Sequence, residues 1–140
     1  MKKVLAICLF ILIFIFGLLK LLNSYSVEEA IENGDFITNP ELKNMDNFNR
    51  FMADVNNRVD SKIRITEYSK EGVPTVNDLE YCNNVFILHS FYPNNIFNKK
   101  DETGEYTEVY FESVGDEADM YLINTKLGTR KYICQVRNYW

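Results

Sequence analysis

The stretch NDLEYCNNVFILHS, Asn77 to Ser90, places Asn83-Asn84 between two apolar runs. Asparagine tolerates the positive backbone angles of a two-residue hairpin turn, so the pair predicts a tight antiparallel hairpin here. The register follows from the turn: Cys82 stands opposite Val85, Glu80 opposite Ile87 and Asp78 opposite His89. Side chains alternate between the two faces of a strand. One face therefore carries Asp78, Glu80, Cys82 and His89, and the other carries Leu79, Tyr81, Phe86 and Leu88, which we take as the core face.

The period of two extends outward from this hairpin. KIRITEYS, PTVNDLEYC, VFILHSFY, EYTEVYFESV, MYLINT and RKYICQVR read as strands rich in β-branched and aromatic residues. They are separated by KEGVP, NN, PNNIFNKKDETG, GDEAD and KLG, a meander pattern. Upstream the period is helical. Ser26-Val27-Glu28-Glu29 is a capping box, and Gly34 stops the short helix it opens. Met45, Phe48, Phe51, Met52 and Val55 mark the apolar side of a second helix. The expected fold class is α+β: two helices on one face of an antiparallel sheet of about six strands. Strands do not alternate with helices and there is no glycine-rich phosphate loop, so no nucleotide cofactor is expected.

Residues 1–26 form a separate unit, leaving 27–140 as the domain. Lys2 and Lys3 precede sixteen uncharged, mostly apolar residues from Val4 to Leu19, followed by Lys20. Val4 to Leu22 would reach roughly 28 Å as a helix, close to the apolar thickness of a bilayer. The lysine pair would hold the N-terminus in the cytoplasm and put everything after Ser26 outside, as a single-pass membrane protein. Small residues at Ser24 and Ser26 also suit cleavage of a secretory signal, which would release the domain. Cys8, with greasy residues on both sides, reads as an ordinary apolar residue and not as a lipidation site.

Charge narrows the partners. Three of the 15 basic residues and none of the 20 acids lie in residues 1–26, so the domain carries 12 against 20, a net charge of −8. Such a domain repels the phosphate backbone, and nucleic-acid binding is not expected. It also gains nothing from an anionic membrane surface, so the membrane contact is expected through residues 1–26 alone.

The polar pair Asp78 and His89 is the weak candidate for chemistry. A carboxylate beside an imidazole would fix its tautomer and raise its basicity. A nucleophile and an oxyanion site are missing, so no catalytic residue is assigned and the pair reads as a structural cross-strand contact. Cys82 and Cys134 are the only cysteines able to pair in an exported domain; a disulfide and two free thiols both remain open. No second histidine or CxxC starts a zinc site. DETGEYTE and GDEAD lack the spacing of a calcium loop and read as solvated acidic turns. The aromatic end Tyr139-Trp140 suits either a contact surface or a cap on a sheet edge.

YSVEEAIENGDFI, NMDNFNRFMADVNN and DSKIRITEYSKEGVPTVNDLEYCNN together resemble a family of small exported or lipid-anchored proteins of Bacillus-type bacteria, domain-of-unknown-function family 4362. The resemblance runs from Tyr25 to Asn84. It rests on EEA-x-x-NGD at Glu28 to Asp35 and IRI-x-x-Y-x-x-EG-x-P at Ile63 to Pro74. Relatives often end their signal in a lipidated cysteine, which Asn23 to Ser26 lacks, and carry a later cysteine pair with no counterpart here. The resemblance implies a compartment and a fold type, and no activity. The expected role is a non-enzymatic binding module with a protein partner at the bacterial cell surface. The alternatives are an immunity-like protein that neutralises an incoming toxin or enzyme, and a small hydrolase using Asp78 and His89.

Overall fold

The computed structural model describes residues 10–15, 25–93 and 100–137. Helix α1 spans Val27–Glu32 and α2 spans Met45–Asn56, with strand β1, Phe36–Asn39, between them. Strands β2 (Ser61–Tyr68), β3 (Pro74–Cys82), β4 (Val85–Phe91), β5 (Glu102–Tyr106), β6 (Glu108–Val114), β7 (Glu117–Asn124) and β8 (Thr129–Arg137) follow. The α+β class expected from the pattern is the one observed. The hairpin is also as expected: Asn83 and Asn84 both have positive φ, and Cys82–Val85, Glu80–Ile87 and Asp78–His89 are register partners. Leu79, Tyr81, Phe86 and Leu88 are all buried on its inner face.

The single six-stranded sheet is not what forms. The strands make a five-stranded sheet, β1-β2-β3-β4-β5, and a three-stranded sheet, β6-β7-β8. The run EYTEVYFESV breaks at Thr107, whose N–H donates to the Ile123 carbonyl and whose hydroxyl lies 2.9 Å from that of Thr125. Tyr106 thus still pairs with Phe86 of β4, while Glu108 already pairs with Ile123 of β7. Part of the expected loop, Glu102 to Gly104, is strand. The sheet is not wholly antiparallel either, because β1 runs parallel to β2.

The helices lie on opposite faces of the larger sheet, and not together as expected. Phe36 stacks on Phe48 of α2 at 4.5 Å between ring centroids, in one cluster with Phe51, Ile63, Ile65, Leu79, Phe86 and Leu88. Met120, Leu122, Cys134 and Val136 of the smaller sheet complete this cluster, and Phe111 meets Phe48 edge-on. Burying each large apolar side chain contributes about 1.5–3 kcal/mol, so this face carries most of the stability. Ile37 and Tyr68 point the other way and hold Ala30 of α1 in a second, smaller cluster. Six residues are too few for a helix to persist alone. Ser26 caps α1 by accepting the Glu29 N–H at 3.1 Å, and the Tyr68 hydroxyl donates to the Ser26 carbonyl.

Residues 10–15 are helical and exposed. Among the described residues no helix is long and apolar enough to cross a membrane. The expected span from Val4 to Leu22 falls largely outside the described residues, as do Cys8 and Tyr139-Trp140.

Candidate functional site

Helix α1 covers only the Tyr68 end of the outer face of the larger sheet. Beside it lies an open groove of about 690 Å³. Its floor is built by strand alternation: two transverse rows cross the sheet, Lys62–Glu80–Ile87 and Arg64–Asp78–His89, each in register from β2 through β3 to β4. The loop Asn33-Gly34-Asp35 and the side chains of Asn47 and Arg50 from α2 form one wall.

That wall is fixed from within. Gly34 has φ of +81°, the left-handed conformation that ends α1, and a Cβ there would sit 3.3 Å from the Asn47 amide nitrogen. Asn47 donates to the Gly34 carbonyl at 2.8 Å. Asp35 is only 2% exposed, and its carboxylate accepts from the Tyr25 hydroxyl at 2.7 Å and the Thr66 hydroxyl at 2.6 Å. A buried carboxylate without such partners would cost several kcal/mol, so these two donors make Asp35 tenable. The Tyr25 hydroxyl is in turn held above its usual range, first by burial and then by its bond to Asp35. The Asn-Gly-Asp turn thus joins α1, β1 and β2 beside the groove.

Asp78 and His89 are brought together as cross-strand partners, but the carboxylate is engaged elsewhere. Arg64 Nε lies 2.6 Å from one Asp78 oxygen and its Nη2 lies 2.8 Å from the other. This two-point pairing raises the affinity of the guanidinium for its proton still further. His89 instead stacks on Phe91 at 5.4 Å, and Arg64 lies over the same Phe91 ring. Arg64 is one of the groove residues that sequence reading missed; Lys62, Arg50 and Asn47 are others. The alternation of Arg64 with Ile63 and Ile65 already puts it on the outer face, but its partner depends on how β2 pairs with β3 across the five-residue turn SKEGV, which two-residue turn rules do not fix.

Cys82 and Cys134 are free thiols in different sheets. Cys82 lies at the rim of the larger sheet, its thiol 3.5 Å from an Asp60 oxygen, whereas Cys134 is fully buried in the smaller one. Burial holds the Cys134 thiol far above its usual range. No group of three or more His, Cys, Asp or Glu among the described residues is placed to hold a metal ion.

A family model described as Domain of unknown function (DUF4362) matches residues 33–114. The chain belongs to this family. The match to the DUF4362 model begins at the first residue of the groove wall and contains every groove residue, whereas all of β7 and β8 lies beyond it. No curated protein and no solved structure matches the chain. The two motifs that carry the resemblance have structural roles here. Asn33-Gly34-Asp35 makes the wall; Ile63 and Ile65 enter the core, Arg64 enters the groove, and Tyr68 docks α1.

Proposed function

We propose that this domain is a non-enzymatic binding module that takes a protein partner in the groove on the outer face of its larger sheet. One observation carries the reading: Asp78 gives both oxygens to Arg64, so among the described residues the carboxylate opposite the only histidine is not oriented to make it a base. What remains exposed suits recognition. Lys62, Arg50 and Glu80 offer charges of both signs around Ile87, which is 38% exposed. An apolar point ringed by polar groups is the usual composition of a protein contact. We place the domain outside the cell, held by residues 1–26, on the strength of the Lys2-Lys3 pair and the apolar run that follows.

The test is retention of a partner from detergent-solubilised membranes by the full-length chain and by Ile87→Glu, which changes the groove floor without entering the core. A partner held in stoichiometric amount by the native chain and lost with Ile87→Glu supports the groove. A partner held equally by both removes it as the site.

A further inference from the structure

The outer face of the smaller sheet carries a second arrangement, distant in the fold from the groove. Tyr110 of β6, Tyr121 of β7 and Tyr132 of β8 are register partners, so three tyrosines form one row across all three strands. Tyr110 is 46% and Tyr132 42% exposed. Arg130 lies over this row, its guanidinium carbon 3.4 Å from the Tyr121 ring centre and 5.5 Å from that of Tyr110, and it is held by Glu112 at 2.5 Å. Tyr132 meets Tyr121 edge-on at 72°. The surface is therefore stepped, with two exposed rings flanking a planar guanidinium.

The next row supplies hydrogen-bonding groups. Glu112, Asp119 and Gln135 stand side by side, Gln135 donating to Asp119 at 3.1 Å. Each ring of the row thus has a carboxylate or an amide at the next position on its face of the same strand. Aromatic faces are electron-rich and attract weakly positive C–H groups. Carboxylates and amides bind hydroxyls. A ligand that presents C–H faces and hydroxyls in alternation is a pyranose ring, and neighbouring strands stand about 4.8 Å apart, comparable to one ring in a sugar chain. Charge selects among such chains: a domain with 12 basic and 20 acidic residues repels an anionic polymer and admits a neutral one.

We propose that the row Tyr110–Tyr121–Tyr132, with Arg130 and the Glu112–Asp119–Gln135 row, is a binding site for a neutral pyranose chain. The site is independent of the groove. Tyr110 and Tyr132 stack on rings at either end, Arg130 underlies the middle, and the neighbouring row receives hydroxyls.

The experiment is calorimetric titration of the full-length chain in detergent with chitotetraose, a neutral β-linked tetramer of N-acetylglucosamine, and with the anionic polymer polygalacturonate. Saturable binding of chitotetraose is expected, weakened about tenfold or more by Tyr110→Ala or Tyr132→Ala. Tyr110→Phe keeps the ring, so it should retain affinity within a few-fold and show that the alanine effect is not misfolding. No saturable binding of chitotetraose by the native chain overturns the proposal, as does tighter binding of polygalacturonate. Equal affinity of the alanine variants also overturns it. So does a native dimer that Tyr132→Ala converts to monomer, which would make this face a self-interface.

Discussion

Arg64 decides what Asp78 does. A guanidinium in two-point contact holds the carboxylate, and the imidazole across the strand is left to ring stacking. The two substitutions should therefore separate. Asp78→Asn leaves the guanidinium without its anion in a half-exposed site and should cost about 1 kcal/mol, whereas His89→Gln should cost less than about 0.5. Urea midpoints of the single variants give the order; a larger loss from the histidine change would mean that the imidazole, not the guanidinium, is the partner that matters. The cysteines differ just as clearly. A maleimide applied to the native chain should modify Cys82 and leave Cys134 untouched until denaturant is added, because the latter is enclosed on all sides. Peptide mass mapping reads this directly, and early labelling of Cys134 would show that the smaller sheet does not stay closed over the core.

The β3–β4 hairpin is the element whose face assignment was fully legible, since two asparagines at positive φ leave one register and period two does the rest. Phe86→Ala should cost about 3–5 kcal/mol and Glu80→Ala less than about 0.5. Equal losses in denaturant titrations would place the strands one residue out of register and invert both faces. Helix α2 was equally legible from Met45, Phe48, Phe51, Met52 and Val55. Strand β1 was not, because four residues are too few for a period to register, and its parallel pairing with β2 is reached only through the intervening helix. The division at Thr107 escaped for a related reason. EYTEVYFESV holds no glycine or proline to mark a break, and what turns it is the bond of Thr107 to β7, a strand ten residues further on.

At the scale of the whole molecule, residues 1–26 and the domain make opposite demands on their surroundings, one apolar and the other carrying a net −8. If Val4 to Leu22 holds the chain in the membrane with Val27 to Trp140 outside, protease added to intact protoplasts should digest the domain and leave a short protected N-terminal fragment. A mature N-terminus at Val27 in the medium would instead show a cleaved signal, and full protection would reverse the topology. The sequence by itself determined the α+β class, both helices, the hairpin and its buried face, because each rests on a periodicity contained within one element. It also placed Asp78 opposite His89. Only the tertiary structure decided that the strands part into two sheets, that α1 and α2 take opposite faces, and that Arg64 claims Asp78. Those outcomes turn on contacts between segments far apart in the chain, where burial and pairing compete among many partners and no local pattern records which one wins.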